Sequence, residues 1–390
     1  MLSLRIFKCS KIHNKWYVQN VSNLSINIIK RNKSRIQAWQ IHAYGNLDEI
    51  NLSTIRMPII SKPSEVLVKV EASSVNPIDI SIIGGYGSKV LNLMRKIRKM
   101  DREIEFPLTM GRDFSGVIIA KGHNVGEKLR LGDEVWGVVP VEQQGCHATH
   151  VIVDNNLVNP KPPNLSYIEA ASILYAGLTA WSALWLTGGL FYKTLGSNKY
   201  NRKVLILGGS GGVGSAAIQM AKKWNLKVIS TCSTDAVDQL KKLGADIVIN
   251  YKDQNANQLV INEGIYDIIL DCSNQGIEKI SSKKYRFKSY ITLNSLLLKN
   301  IDHYGLIGGT MNNIADLLKY NIPNKKDGSC VKWGFFIPST IGLNALQKLV
   351  ENEQLKPVIE EVYTFDKLPE AYKRVAKGNL RGKVVIDMKA

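Results

Sequence analysis

The stretch LGGSGGVG, residues 207–214, constrains the fold more than any other feature of the chain. It places five glycines in eight residues, between the apolar run KVLIL and the helically spaced SAAIQMAKKW. Gly209, Gly211 and Gly214 form G-x-G-x-x-G, in which the glycines permit a tight turn, close approach of the backbone to a pyrophosphate, and close packing of helix on strand. The pattern predicts a dinucleotide site at the start of a helix, because the first N–H groups of a helix can bind phosphates.

The chain before this motif has a different pattern of predicted secondary structure. From about residue 36 to residue 160, short β-rich runs are separated by turns rich in Gly, Pro and Asp: EVLVKVEAS, SGVIIAKG, DEVWGVV and HATHVIV. This pattern is typical of a compact, mostly β domain. The segment NPKPPNLS ends the domain, because its prolines from Pro160 to Pro163 exclude regular structure.

Beyond this boundary, strands alternate with helical stretches. The predicted strands are KVLIL, KVIST, DIVIN, YDIILD, SYITLN and WGFFIP, and this alternation indicates a doubly wound parallel sheet. The last part of the chain contains a helix through NALQKLVEN and a final strand, KVVID, which we expect to pack on the first domain. We therefore predict an α/β protein with one domain at 36–165 and 339–390 and a nucleotide-binding domain at 166–338.

The end of the second strand of the nucleotide-binding domain indicates which dinucleotide is bound. NAD enzymes place a carboxylate there against the ribose 2′-OH. In this chain the stretch is KVISTCST, with no acid before Asp235. A carboxylate would repel a 2′-phosphate and hydroxyl groups would bind it, so Ser233 and Thr234 favour NADPH, with Asp235 as the observation against it.

The formal net charge of +18 is spread along the chain without a nucleic-acid motif, so we predict no nucleic-acid partner. Part of the excess lies in the first 47 residues, which contain no Asp or Glu. Such a leader is typical of a mitochondrial transit peptide, here residues 1–35, and the alternative is a disordered basic arm. No charge-free run of 18 apolar residues is apparent, so we predict no membrane-spanning helix.

Segments in order along the chain resemble the zinc-free medium-chain dehydrogenases of the quinone oxidoreductase group. They are SVNPIDI, GGYG, FPLTMGRDFSGVI, GDEVWGVVP, AGLTAWSAL, VLILGGSGGVG, KKLGADIVINY and RGKVVID, and they cover nearly all of residues 36–390. The resemblance implies a GroES-like, β-rich catalytic domain interrupted by a Rossmann nucleotide-binding domain. It also implies a mitochondrial NADPH-dependent oxidoreductase linked with ubiquinone metabolism.

Zinc-dependent alcohol dehydrogenases of the same superfamily carry a zinc-binding Cys in the segment matching SVNPIDI, and a His-Glu pair where this chain has Arg112 and Asp113 after Gly111. The chain has neither ligand, and its five cysteines form no CxxC pair. Because a catalytic zinc needs three protein ligands, the adjacent Cys146 and His147 are insufficient, and we predict no bound metal. Such a site suits acceptors that stabilise the incoming charge themselves, such as quinones or conjugated enones.

The resemblance also implies the site residues. Thr179 is expected near the nicotinamide carboxamide, and Asn76 near its ribose or the substrate. Tyr86 matches a tyrosine that donates a proton in mitochondrial enoyl thioester reductases, and the alternative is a tyrosine that only lines the pocket. The expected nucleotide contacts are Gly209, Ser210, Gly211, Gly212, Val213, Gly214, Ser233, Tyr251, Leu293, Phe335, Phe336, Asn379, Leu380 and Arg381.

Three functions remain open from the sequence. The first is an NADPH-dependent reductase of a small hydrophobic acceptor, a quinone or a conjugated carbonyl. The second is a mitochondrial trans-2-enoyl thioester reductase, which would use Tyr86 directly. The third is a nucleotide-binding interaction protein with little turnover. The resemblance allows a protein partner of the reticulon type, and either a monomer or a homodimer.

One basic segment has no assigned role. Six Lys and Arg residues lie between Lys89 and Arg102 in the stretch SKVLNLMRKIRKMDREIEF. The alternatives are an attraction for an anionic substrate, a peripheral contact with a membrane surface, and a solvated helix face.

Overall fold

The computed structural model describes residues 34–97, 105–193, 202–321 and 328–389. The predicted transit peptide lies outside the described residues except for its last two positions, and the basic segment is described only as far as Ile97. The strands are β1 Arg35–Ile41, β2 Asn51–Arg56, β3 Glu65–Val75, β4 Leu108–Thr109, β5 Asp113–Lys121, β6 Glu134–Val138, β7 His150–Asp154, β8 Val158–Pro160, β9 Lys203–Leu207, β10 Lys227–Cys232, β11 Ile247–Asn250, β12 Tyr266–Asp271, β13 Phe287–Thr292, β14 Cys330–Trp333, β15 Ile359–Thr364 and β16 Lys383–Asp387.

The helices lie between these strands, and one of them continues as a π-helix. They are α1 Pro77–Ile83, α2 Ser88–Ile97, α3 Tyr167–Trp181 with its π-helical extension Ser182–Thr187, α4 Leu190–Lys193, α5 Gly212–Lys223, α6 Val237–Lys242, α7 Ala256–Asn262, α8 Gly276–Ser282, α9 Leu297–Asn321, α10 Thr340–Glu351 and α11 Leu368–Ala376. Short 3-10 turns occur at Leu47–Glu49, Asn155–Leu157, Thr234–Ala236 and Phe365–Lys367.

Strands β9 to β14 form a parallel sheet in the order β11-β10-β9-β12-β13-β14. The order changes direction at β9, because β10 lies on one side of it and β12 on the other. Strands β9 and β10 are buried at almost every position, as expected when helices cover both faces of a parallel sheet. The predicted alternation is confirmed, and the point of reversal is where such sheets bind ligands.

The predicted strand WGFFIP is wrong in its position. The last strand of the sheet, β14, spans Cys330–Trp333, so only the tryptophan of the predicted segment belongs to it. Gly334 still donates its backbone N–H to the Thr292 carbonyl oxygen at 2.9 Å, and the aromatic residues after it lie beyond the sheet. The ring of Phe336 stacks on Tyr175 of α3, with the ring centroids 4.3 Å apart.

Helix α9 is an element that the sequence analysis missed. The chain reverses within it at Gly305, which has φ 75° and ψ 178°. Asn313 Nδ2 donates to the carbonyl oxygen of Leu297 at 3.1 Å. A straight helix would separate these residues by about 24 Å. Gly309 packs on the backbone of Ile301 in the other arm, so α9 is a helical hairpin. Its glycines and asparagines are weak helix formers, which concealed it.

The antiparallel part of the molecule is a seven-stranded sheet in the order β15-β16-β3-β5-β6-β8, with β7 also paired to β3. Strand β16 pairs antiparallel with β3 and parallel with β15, so the end of the chain returns to the first part as expected. Helix α10 shares a core with α3, and it also contacts the first part of the chain: Trp136 Nε1 donates to Gln347 Oε1 at 2.9 Å, and Asn159 Nδ2 donates to Asn344 Oδ1 at 3.0 Å. The domain boundaries themselves stay a prediction.

Helix α3 lies between the two large sheets. With its extension it forms the 21-residue segment Tyr167–Thr187, which is long and apolar enough to cross a membrane. The sequence analysis did not identify this segment. Within the protein, however, 78% of its apolar window is buried. It packs on α5, β3 and β5, so it serves as the central helix of the core.

Candidate active site

The glycine-rich loop joins β9 to α5 at the reversal point of the parallel sheet. Gly208 has φ +78° and makes the tight turn that the sequence analysis assigned to Gly209. A Cβ atom at Gly214 would lie 2.4 Å from the carbonyl oxygen of Gly208, so helix and strand are too close for a side chain there. A Cβ atom at Gly211 would meet nothing within 4 Å, so the backbone at this point is accessible to a ligand.

The start of α5 is suited to an anion. Its N-cap is Gly211, which has no side chain to bond the first backbone N–H groups of the helix. These groups and the positive end of the helix dipole are therefore available to phosphate oxygens. The hydroxyl of Ser210 lies 3.4 Å from the Leu380 carbonyl oxygen and 3.4 Å from a nitrogen of Arg381. The turn that contains Asn379, Leu380 and Arg381 thus lies beside the loop.

A hydrogen-bonded charged cluster lies at the end of β10. Arg381 donates from Nη2 to Ser233 Oγ at 2.6 Å and from Nε to Asp235 Oδ2 at 2.9 Å. Ser233 Oγ in turn donates to Asp235 Oδ1 at 2.5 Å. The hydrogen bonds from Ser233 and then from Arg381 lower the pKa of Asp235 to about 2, so this carboxylate is ionised and paired. The cluster places a guanidinium at the strand end where Rossmann domains recognise the ribose 2′ position.

Three more of the expected nucleotide contacts follow other strands of the parallel sheet. Tyr251 follows β11, is 54% exposed, and donates from its backbone N–H to the Cys232 carbonyl at 2.9 Å. Leu293 follows β13 and packs partly buried on the main core. Phe335 follows β14, and its carbonyl oxygen accepts from Ser182 Oγ. All three therefore lie beyond the carboxyl ends of the strands, at the ligand-binding edge of such sheets.

Tyr175, which was not predicted from the sequence, lies on α3 next to Ala176, whose Cβ would be 3.4 Å from a Cβ atom at Gly212 of the glycine loop. Its ring stacks on Phe336, and its backbone N–H donates to Asp113 Oδ2 at 3.0 Å. Burial raises the pKa of its phenol, which is neutral at physiological pH. Its carbonyl oxygen accepts from Thr179 Oγ1 at 2.8 Å, which leaves the lone pairs of that hydroxyl for an N–H donor. The feature of the sequence that could have identified Tyr175 is its position one helical turn before Thr179.

Tyr86 lies in the loop between α1 and α2, where this loop meets the hairpin α9. Its hydroxyl lies 3.5 Å from the carbonyl oxygen of Ser295. The next residue, Gly87, donates its backbone N–H to Asp302 Oδ2 at 2.5 Å. Burial raises the pKa of Tyr86, so the phenol stays protonated at neutral pH and can donate a proton. Tyr86 is thereby placed where the α1–α2 loop contacts the start of the hairpin.

Asn76 belongs to a buried polar network rather than to an open surface. Its Nδ2 donates to Asp113 Oδ1 at 2.9 Å, and its Oδ1 accepts from Lys383 Nζ. Both ends of the amide are engaged, so its expected contact with ribose or substrate stays a prediction. Lys383, also missed from the sequence, reaches the glycine loop: a Cβ atom at Gly212 would lie 2.7 Å from its Cδ. Burial lowers the pKa of Lys383. The feature of the sequence that could have identified Lys383 is the closing RGKVVID motif, which contains it.

The position of the zinc ligands in alcohol dehydrogenases is filled by groups that do not suit a metal. Arg112 is 1% exposed and donates from Nη1 to the carbonyl oxygens of Pro140 and Gln143 at 3.1 and 2.8 Å. Its Nε lies 3.5 Å from Asp79 Oδ1. A guanidinium has no lone pair to offer and would repel a cation. Across the four described ranges, no group of three or more His, Cys, Asp or Glu side chains could hold a metal ion.

The adjacent Cys146 and His147 are buried packing residues. His147 Nε2 lies 3.2 Å from the Ser74 carbonyl oxygen, which only accepts, so this nitrogen carries the proton. Nδ1 therefore accepts from the Tyr372 hydroxyl at 2.8 Å. Burial lowers the pKa of His147 to about 3. Cys146 Sγ lies 3.2 Å from the Asp113 carbonyl oxygen. Both residues are thus engaged within the protein, and the absence of a metal stays a prediction.

A parallel sheet with a glycine-rich phosphate cradle, joined to an antiparallel sheet across a phenol-lined interface, defines a nucleotide-dependent oxidoreductase of the medium-chain class. Two family models match the chain. The model described as alcohol dehydrogenase GroES-like domain covers residues 62–163, and the one described as zinc-binding dehydrogenase covers residues 243–386.

The relatives define the family. A protein of Drosophila melanogaster named NAD(P)H oxidoreductase RTN4IP1, mitochondrial, is 43% identical over 366 residues, 92% of this chain and 88% of the relative. Its namesake from Homo sapiens is 38% identical over 384 residues, 97% of this chain and 94% of the relative. The solved structure of the quinone oxidoreductase from Coxiella burnetii aligns with a TM-score of 0.71 at 26% identity, over 91% of this chain and 100% of that one. The chain belongs to the RTN4IP1 family of mitochondrial NAD(P)H oxidoreductases.

These similarities confirm several predictions made from the sequence. They are the α/β fold of a GroES-like and a Rossmann domain, the oxidoreductase class, a nicotinamide cofactor, a small-molecule substrate and the mitochondrial location. The description of one family model includes zinc. The buried ion pair of Arg112 and Asp79 shows that this chain's own side chains do not fit that metal at the corresponding position.

Proposed function

We propose that the chain transfers hydride from NADPH to a quinone or a conjugated carbonyl without a metal, in a role linked with ubiquinone metabolism. The observation that carries the proposal is the phosphate cradle at the start of α5: the backbone at Gly211 is open, and the Arg381 guanidinium beside it bonds Ser233 at the end of β10. Tyr86, where the α1–α2 loop meets α9, adds a phenol. Neutral phenols suit an acceptor that takes up hydride and then needs a proton. Such acceptors delocalise the incoming charge and need no Lewis acid.

The residues present fit a reduced dinucleotide, which supplies the hydride when it is bound. The backbone from Gly209 to Gly214 and the start of α5 would hold the pyrophosphate, since Gly211 leaves space where a Cβ would stand. The lone pairs of the Thr179 hydroxyl would accept from the carboxamide. Arg381 and Ser233 would hold the 2′-phosphate of NADPH, and the paired Asp235 would no longer repel it.

Tyr86 is the proposed proton donor. Reduction of a quinone or an enone adds one hydride and one proton, and the phenol can supply the proton as charge develops on the acceptor oxygen or carbon. Its raised pKa keeps it protonated at neutral pH. Tyr175 is less accessible to an acceptor, because its ring is stacked on Phe336. We assign it to the wall of the site.

The test is NADPH oxidation by the purified protein with a short-chain quinone, a conjugated enone and a crotonyl thioester. We expect turnover with the quinone or the enone. Turnover with the thioester alone would contradict the proposal in favour of the enoyl thioester reductase. Bound nucleotide without turnover on any acceptor would favour the nucleotide-binding interaction protein.

Tyr86→Phe separates the two alternatives for this residue. Loss of a general acid lowers the rate by about 100-fold or more, with NADPH affinity unchanged. Tyr363→Phe is a matched control, because Tyr363 and the Glu361 that its hydroxyl bonds both lie on strand β15. An unchanged rate for Tyr86→Phe would reduce this tyrosine to a lining residue. A protein partner of the reticulon type, and the choice between monomer and homodimer, stay predictions from the family resemblance.

A further inference from the structure

The second arm of the hairpin α9 exposes one face of large apolar side chains. Ile307 is 81% exposed, Met311 67% and Ile314 54%, and Leu318 continues the row. The spacing 307, 311, 314, 318 puts these four residues on a single side of a helix. The other exposed positions between residues 306 and 318 are also uncharged, among them Thr310 and Ala315. Soluble surfaces normally carry large apolar residues singly, so a continuous row indicates an interaction surface.

The exposure of this face follows from the packing of the hairpin. Its inward side carries small and polar residues: Gly309 lies on Ile301, and Asn313 bonds the Leu297 carbonyl oxygen. The usual burial pattern of an amphipathic helix is therefore inverted, with the polar side in and the apolar side out. Within the described residues, the arm has its apolar side turned to the solvent by specific inter-arm hydrogen bonds.

Positive charge lies on helix α2, which meets the first arm of the same hairpin at Asp302. Helix α2 packs against the hairpin, and it contains no acidic residue. Its exposed positions are Lys89, Leu93, Lys96 and Ile97, two cations and two apolar side chains. The combination of exposed apolar residues with lysines is typical of surfaces that lie in the headgroup region of anionic bilayers.

A second copy of the chain is a poorer fit to the same surface. In a two-fold symmetric dimer the same patch faces itself. The acid-free α2 helices of two copies would then lie close together with their lysines unpaired. An anionic lipid surface neutralises these charges instead.

We propose that the hairpin α9 and helix α2 form a membrane-docking surface for anionic phospholipid bilayers. Ile307, Met311 and Ile314 enter the boundary between headgroups and acyl chains, and Lys89 and Lys96 bind the lipid phosphates. The surface adjoins the loop of Tyr86 through the Gly87–Asp302 hydrogen bond. If the proposed function holds, a lipid-soluble acceptor reaches the site directly from the bilayer.

The test is co-sedimentation of the full chain with vesicles of phosphatidylcholine, alone or mixed with phosphatidylglycerol. The test variant combines Ile307→Ser, Met311→Ser and Ile314→Ser. The control combines Leu131→Ser, Ile265→Ser and Ile341→Ser, which are similarly exposed (63%, 55% and 74%) on other surfaces. The basic leader is common to all variants, so differences between them report on the docking surface.

We expect the wild type and the control to bind the mixed vesicles, and the test variant to bind about tenfold more weakly or worse. The double variant Lys89→Gln, Lys96→Gln should weaken binding to the mixed vesicles and leave binding to pure phosphatidylcholine unchanged. If thermal unfolding shows that the triple variant is not folded like the wild type, the double variant replaces it in the test. Equal binding of wild type and triple variant overturns the proposal. The proposal is also overturned if the wild type does not bind vesicles but is a dimer, and the triple variant is a monomer. Turnover is not measured, so the outcome is independent of the proposed function.

Discussion

Arg381 is the residue on which the proposed preference for NADPH depends. It comes from the turn before β16, yet its guanidinium bonds Ser233 and Asp235 at the end of β10. From the sequence alone, Asp235 is an observation against NADPH, because a carboxylate repels a 2′-phosphate. The ion pair removes that objection, and residues 146 positions apart in sequence were needed to show it.

We predict that Arg381→Gln weakens NADPH binding by about 10- to 100-fold and leaves NADH binding nearly unchanged. The loss corresponds to one charge-assisted hydrogen-bonded contact with the 2′-phosphate. Asp235→Asn should leave NADPH binding as tight as in the wild type or tighter. The measurement is fluorescence titration with both nucleotides. Equal losses for NADPH and NADH would show that Arg381 does not contact the 2′-phosphate.

His147 gives a second prediction, on pH. Its folded pKa is about 3, against 6.5 for the free side chain, so the unfolded chain takes up a proton that the fold excludes. Stability is therefore lost as the pH falls below 6.5, by about 1.4 kcal/mol for each pH unit, until the fold itself takes up the proton near 3. Urea unfolding of the wild type and of His147→Gln at pH 7, 6 and 5 measures the difference in slope.

The matched control for this experiment is His123→Gln, because His123 is exposed. This control should follow the wild-type pH dependence, and His147→Gln should show a shallower one. A pH dependence that is identical in all three proteins would mean that His147 is protonated in the fold.

The glycine loop is the proposed pyrophosphate site, and two of its glycines differ in the space around them. Gly214 has no room for a Cβ, which would lie 2.4 Å from the Gly208 carbonyl oxygen, whereas Gly211 has open space and φ −75°, ψ 173°. We predict that Gly214→Ala lowers the free energy of unfolding by about 1–3 kcal/mol. Gly211→Ala should keep or raise stability by about 0.4–1 kcal/mol, because Ala adopts this backbone conformation without strain.

Nucleotide titration completes this prediction. Gly211→Ala should bind NADPH at least about tenfold more weakly although it is stably folded, since its Cβ occupies the space left for the pyrophosphate. Wild-type affinity in Gly211→Ala would place the pyrophosphate elsewhere.

What the sequence could predict depended on periodicity. The strands β9 to β13 are apolar and lie between turns, so their pattern is local and was identified correctly. The hairpin α9 was missed because its reversal at Gly305 and its inter-arm hydrogen bonds are tertiary features. In addition, its apolar residues are exposed, whereas apolar residues at helical spacing normally indicate a buried face. The phenol of Tyr175 and the buried Lys383 were missed for a related reason: each lies beside or within a segment that was identified, but its role depends on neighbours in space, Phe336 for Tyr175 and Asn76 for Lys383.

At the scale of the molecule, the two sheets pack on α3, and a second contact joins the hairpin α9 to the start of α2. Asp302 of the hairpin accepts from the backbone N–H groups of Gly87 and Lys89 at 2.5 and 3.1 Å, and so caps α2 from the other part of the chain. This contact positions the loop of Tyr86.

We predict that Asp302→Ala lowers the free energy of unfolding by about 1 kcal/mol, as the loss of a helix cap does. It should also lower kcat with unchanged affinity for NADPH, since the loop of Tyr86 loses its anchor but the glycine loop does not. Glu127→Ala, at an exposed position, is the control. Unchanged kcat and unchanged thermal unfolding would show that the hydrogen bonds of Asp302 to Gly87 and Lys89 contribute to neither activity nor stability.

The central claim is that this chain moves hydride from a reduced nicotinamide to a conjugated acceptor with its own side chains and no metal. The most direct test is the rate of NADPH oxidation by a short-chain quinone, measured on protein dialysed against a strong chelator and compared with untreated protein. We predict equal rates, with one quinol formed for each NADPH consumed. A rate that is lost on chelation and restored by added zinc would contradict it.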